Sequence, residues 1–92
     1  MGALTREVII HNDSGLHLRP SAVFVKTANK HKGCEVYVSR DGQRVNGKSI
    51  MGLVMLAAAK DTQLTIEVSG ENAEEALNEL CALVENKFGM DT

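Results

Sequence analysis

Aromatic residues are nearly absent. The 92 residues contain no tryptophan, one tyrosine and two phenylalanines, so no set of rings is available on which successive nucleobases could stack. The two cysteines, Cys34 and Cys81, form no CxxC, and neither has histidine or cysteine neighbours at metal-ligand spacing. They read as small hydrophobes in a reducing compartment, and no metal or tightly bound cofactor is implied. No apolar run approaches the length of a membrane span, and Met1 to Arg6 has no apolar core of a secretory signal. The expectation is a cytoplasmic, monomeric protein with no membrane insertion. Proline occurs once, at Pro20.

What remains is an ordinary globular composition, 43% hydrophobic and 24% charged, with room for a single domain spanning residues 1–92. The net charge of −2 conceals an asymmetry. Residues 1–60 carry nine Lys/Arg against four Asp/Glu, giving +5, and residues 61–92 carry one against eight, giving −7. The first part suits an anionic ligand or an acidic protein surface, whereas the acidic end argues against nucleic-acid binding.

Hydropathy period sets the element order. Leu4 to His11 reads as a strand, closed by the loop Asn12-Asp13-Ser14-Gly15. From Leu18 to about His31, Ala22, Val25 and Ala28 recur at helical spacing with Phe24 beside them, and Gly33 is expected to end that helix. Cys34, Val36 and Val38 alternate with polar residues as a half-buried strand should; Asp41-Gly42 makes a hairpin turn, and Gln43 to Asn46 is the return strand. Ser49 precedes Ile50, Leu53, Val54 and Ala57, an apolar set at helical intervals, so Ser49 is the expected N-cap. Leu64, Ile66 and Val68 alternate with Thr65 and Glu67 in a fourth strand. Asn72 followed by Glu75 resembles a capping box, and the apolar stripe from Ala73 through Leu77, Leu80 and Val84 to Phe88 is closed by Gly89. The order is β-α-β-β-α-β-α, which predicts an α+β, two-layer fold: a four-stranded antiparallel sheet with helices covering one face.

Chemistry concentrates in Gly15-Leu16-His17-Leu18-Arg19-Pro20-Ser21. Pro20 has φ fixed near the helical value and no N–H, so it belongs in the first turn of a helix and places His17 at that helix's start. There the free backbone N–H groups and the positive end of the dipole favour an anion. Imidazole is a neutral nucleophile near pH 7, and a guanidinium two positions on presents a fixed fork of donors to phosphate oxygens. Gly15 lets the chain turn sharply into the site. The bland alternative is a histidine at a helix start beside a surface arginine.

This stretch, about thirty residues before Val45-Asn46-Gly47-Lys48-Ser49-Ile50-Met51-Gly52, resembles the HPr family, the histidine-containing phosphocarriers of the bacterial phosphoenolpyruvate-dependent sugar phosphotransferase system. The likeness runs from the first strand to the last helix. It implies an open-faced β-sandwich with strand order 1-4-2-3 under three helices. It also implies a phosphoryl group accepted on His17 from enzyme I, contacted by Arg19, and passed to sugar-specific enzyme IIA components. By the same resemblance Ser49 is the serine that an ATP-dependent HPr kinase/phosphatase modifies in Gram-positive bacteria. Leu18, Ala22, Ile50, Met51 and Val54 are the expected apolar surface for docking partners. Leu18 stands where the family commonly has a small residue or threonine, and Ser21 where alanine is common. The intact Lys48-Ser49-Ile50-Met51-Gly52 run favours the sugar branch over a nitrogen-related relay.

Two readings compete. Gly42 to Ser49 satisfies the GxxxxGK[ST] pattern of a nucleotide-binding P-loop, but its middle reads as a return strand and no later strand ends in an acidic residue placed for magnesium. A purely regulatory relative acting through Ser49 would have no use for the His17 nucleophile. His11 and His31 lack both an arginine and a helix start beside them and read as surface or strand-edge residues.

Overall fold

The cleanest alternation in the chain becomes the strand at the heart of the sheet. In the computed structural model, which describes residues 2–90, β1 (Leu4–Ile9) is followed by α1 (Leu18–Asn29), β2 (Cys34–Arg40), β3 (Gln43–Asn46), α2 (Ile50–Met55), β4 (Gln63–Gly70) and α3 (Ala73–Glu85). The strands pair antiparallel in the order β1-β4-β2-β3. Val36 sits opposite Val68, Val38 opposite Ile66, and Val8 opposite Leu64, so the buried side chains of three strands meet on one face. Glu35, Tyr37, Thr65 and Glu67 occupy the other.

The helices cover the apolar face. α3 packs on β1 and β4, and α1 lies between α2 and α3. Phe24, Leu53, Leu56, Leu80 and Val84 join the strand valines and Ile66 in one core. The hairpin takes the expected form: Asp41 and Gly42 both have positive φ, 49° and 83°, the geometry whose twist matches the flanking strands.

Several details depart from the sequence expectation. The buried stripe of α1 runs through Ser21, Phe24, Val25 and Ala28, with Ala22 only half-buried; Ser21 is tolerated inside because its hydroxyl donates to the Leu16 carbonyl at 3.2 Å. Gly33 does not end α1, whose C-cap is Lys30. Instead Gly33 approaches Glu71, where a side chain would crowd the Glu71 Cβ at 3.1 Å. Asn72 is the residue before α3 but is left-handed, φ 58°, and makes no cap bond, so the capping box does not form. The last helix also stops short of Gly89. It ends at Glu85, and Lys87 and Phe88 turn left-handed, φ 59° and 57°, which folds the buried Phe88 ring back onto the core.

One ion-pair cluster ties the end of α1 to α3. Glu79 accepts from Lys30 Nζ at 2.6 Å and contacts His31 Nε2 at 2.7 Å, so His31 is a bonded, part-buried residue and not a free surface one. The lysine's hydrogen bond, then the histidine's, holds the Glu79 carboxyl below its ordinary value of 4.5. A depressed carboxyl stabilises the fold above its unfolded pKa and stops doing so as pH falls through the folded value. Glu79→Gln is therefore expected to lower stability at pH 7 by less than about 1 kcal/mol, the pair being solvent-screened. In urea titrations the difference should close as the pH drops below 4.5.

Candidate functional site

His17 is the N-cap of α1, with extended backbone (φ −74°, ψ −176°) and no side-chain cap bond. Its carbonyl accepts from Ser21 N at 3.0 Å, which starts the helix, while its imidazole stays exposed. Pro20 is buried in the first turn, where its missing N–H leaves no bond unmade. Arg19 is exposed, and no hydrogen bond or ion pair among the described residues engages it. The guanidinium and the imidazole thus stand at one helix start, both at liberty to meet an incoming anion.

The loop that carries His17 is held from behind. Asn12 is fully buried, and its amide donates to the Gly15 carbonyl at 2.9 Å and to Ser14 Oγ at 3.1 Å. Gly15 has φ 67°, and a Cβ there would overlap the Ala58 carbonyl oxygen and reach Ala59 Cα at 3.0 Å. That close approach lets Leu16 N donate to the Ala58 carbonyl at 2.9 Å. The segment after α2 therefore forms the wall opposite the histidine. A cleft of about 540 Å³ lies between them, lined by Ser14, His17, Leu18, Val54, Ala57 and Ala59 among others. A second, of about 300 Å³, is lined by His17, Leu18, Arg19, Pro20 and Met90.

Ser49 caps α2: its Oγ accepts from Gly52 N at 3.0 Å. Ser49→Ala is expected to cost about 1 kcal/mol of stability, the usual worth of an N-cap hydroxyl, read as a shift in the denaturation midpoint. The neighbouring Lys48 is fully engaged, its Nζ donating to the His31 carbonyl at 3.0 Å and the Cys34 carbonyl at 2.7 Å. The paired motifs suggest helix starts near His17 and at Ser49 that lie side by side, and these contacts overturn that arrangement. Lys48 brings the start of α2 to the end of α1, while Val54 and Ala57 bring its end to His17. The two helices run antiparallel, so His17 and Ser49 sit at opposite ends of the pair.

The P-loop reading fails on the same contacts. Gln43 to Asn46 are laddered to β2, Gly47 N donates to the Val36 carbonyl, and the lysine amine is spent on backbone carbonyls. No N–H cradle is left for a polyphosphate.

Of the expected docking residues, Leu18 and Met51 are 62% and 63% exposed, and Met55, which helical spacing did not single out, is 67% exposed. Val54 lines the larger cleft and Ala22 is half-buried, whereas Ile50 packs against the core. Asn12 and the Ala57–59 wall were also missed. Asparagine within Asn-Asp-Ser-Gly was a turn signal that could have marked Asn12 as a local bonding residue; the wall left no signal.

An open-faced α+β sandwich that presents an exposed imidazole and a guanidinium at one helix start belongs to a defined class of small domains. Residues 4–86 match the family model described as the PTS HPr component phosphorylation site. The phosphocarrier protein HPr of Neisseria meningitidis serogroup A is 46% identical over 86 residues, covering 94% of this chain and 96% of that one. A crystal structure of HPr from Thermoanaerobacter tengcongensis superposes with a TM-score of 0.87 at 38% identity, over 100% of both chains. The Bacillus subtilis protein Crh, a catabolite-repression protein solved as a swapped-domain dimer, gives a TM-score of 0.75 at 40% identity over 89% of this chain and 93% of that one. The chain belongs to the HPr family, the phosphocarriers of the phosphotransferase system. Among the described residues, no helix is long and apolar enough to cross a membrane.

Proposed function

We propose that this chain is a cytoplasmic relay that accepts a phosphoryl group on His17 from enzyme I and passes it to sugar-specific enzyme IIA components. The observation that carries this is the exposed His17 ring at the start of α1, beside an exposed Arg19, neither of them bonded through its side chain among the described residues. In the accepting step the lone pair of the neutral imidazole attacks phosphorus, a nitrogen–phosphorus bond forms, and the bond to the donor breaks with its electron pair leaving on the donor. In the giving step the imidazole is the leaving group, and protonation of the ring makes it depart readily. Both steps pass charge to the equatorial oxygens, where Arg19 and the N–H groups of the first turn of α1 stabilise it. The exposed position suits a carrier that must meet two partners in turn. Leu18, Ala22, Met51, Val54 and Met55 supply the apolar ground around it, with Ile50 beneath.

Ser49 is the proposed regulatory acceptor for an HPr kinase/phosphatase. Phosphate oxygens on its Oγ can take over the bond from Gly52 N, so modification need not unwind the helix start. Because Ser49 lies at the far end of α2 from His17, its modification would alter the docking surface and leave the imidazole's immediate surroundings in place. The intact His17 and Arg19 favour the carrier over a purely regulatory protein of the kind the Crh relative suggests. The proposal takes the chain as a monomer; sedimentation distinguishes this from a swapped dimer.

The test is reconstitution of the relay. With phosphoenolpyruvate, enzyme I and an enzyme IIA, the wild type should carry label to the acceptor and His17→Ala should carry none; equal transfer by both would overturn the proposal.

A further inference from the structure

We infer that Arg40 is a positioning residue for the His17 site, acting through the backbone that follows α2. The inference rests on the reading of His17 as the phosphoryl acceptor. Arg40 ends β2, next to the hairpin turn and on a different element from any site residue. Its side chain is two-thirds buried, and Nη1 donates to the Leu56 carbonyl at 2.8 Å and reaches the Ala57 carbonyl at 3.4 Å. Its Nε is buried and makes no hydrogen bond, with the exposed Asp41 carboxylate 3.7 Å away. An arginine is thus desolvated at a cost that surface charge pairing does not offset, in order to hold two carbonyls where α2 ends.

Those carbonyls sit at the root of the cleft wall. Ala57 is left-handed, φ 53°, a conformation that strains any residue with a Cβ and persists only where the surroundings enforce it. Arg40 Nη1, donating to the Leu56 and Ala57 carbonyls, is the charged partner that enforces it, and it also complements the negative end of the short helix. Beyond Ala57 the chain delivers the Ala58 carbonyl to Leu16 N, the residue before the nucleophile. The line of contact therefore runs from Arg40 through Leu56, Ala57 and Ala58 to Leu16 and His17. Arg40 touches none of the reacting atoms on this path.

The same path supplies a discriminating experiment. Arg40→Ala should lower kcat for transfer from enzyme I to His17 about tenfold with little change in KM, and should speed amide hydrogen exchange at Leu16 by a similar factor, as expected when a charge-assisted bond to a buried carbonyl is lost. Arg40→Lys, which keeps one charged donor for the Leu56 carbonyl, should recover most of both. In an Ala57→Gly background, where the left-handed turn no longer needs enforcing, Arg40→Ala should cost about twofold or less. An equal loss in both backgrounds would assign Arg40 to general stability, and unchanged transfer and exchange in Arg40→Ala would remove it from the site; either result overturns the inference. Absence of phosphorylation in the wild type would overturn the relay itself, while Leu16 exchange would still decide the role of Arg40.

Discussion

Gly15→Ala is expected to lose about 3 kcal/mol or more of stability, the sum of left-handed strain at a residue with a Cβ and of forced overpacking. Both contributions are local and unavoidable. Gly15 has φ 67°, and the added methyl would fall on the Ala58 carbonyl oxygen, the acceptor of the Leu16 N–H. To relieve the overlap the loop must move away from the 57–59 segment, and that breaks the bond that ties the backbone next to His17 to that segment. Stability and transfer should therefore fall together. Gly42→Ala is the informative control. Gly42 is also left-handed, φ 83°, but a Cβ there meets nothing within 4 Å, so it should lose only about 1–2 kcal/mol and leave transfer unchanged. Chemical denaturation and an enzyme I-coupled assay on both variants separate the two effects.

Arg19→Ala should show the opposite pattern, a large loss of transfer with almost no loss of stability. The side chain is exposed and unbonded among the described residues, so folding should change by no more than about 0.5 kcal/mol. The transfer rate should fall by about a hundredfold, the typical consequence of deleting one preorganised donor to charge that develops in a transition state. Arg19→Lys should lie between, because it keeps the charge but gives up the two-pronged fork. Such a split between kinetics and stability marks a residue placed for chemistry.

Elements set by local pattern could be read from the chain. The Leu64-Ile66-Val68 alternation, the Asp41-Gly42 turn, the Ser49 cap and the helix start at Pro20 each depend on a few neighbouring residues, and all appear in the structure where expected. The errors arose where a distant contact decides. The apolar stripe of α1 was expected through Ala22, yet Ser21 is the buried residue, its hydroxyl accepted by the Leu16 carbonyl in the loop before the helix. Phe88 fits the helical period of α3 but reaches the core by a left-handed kink. The wall facing His17 consists of three alanines, residues without side-chain chemistry, and what qualifies them is backbone geometry set by Gly15 and Arg40. The antiparallel course of α1 and α2 was equally hidden, since it rests on Lys48 finding carbonyls at the end of α1. The exposed placement of His17 and Arg19 at a helix start was legible because Pro20, in the same short run, marks the first turn of α1.

The central claim is that the exposed His17 ring carries the phosphoryl group, and locating that group tests it most directly. After incubation with phosphoenolpyruvate and enzyme I, fragmentation mass spectrometry and phosphorus NMR should find one acid-labile phosphoramidate, on the peptide containing His17. An acid-stable adduct, a phosphoryl group on His11, His31 or Ser49 under these conditions, or no adduct at all would contradict the account.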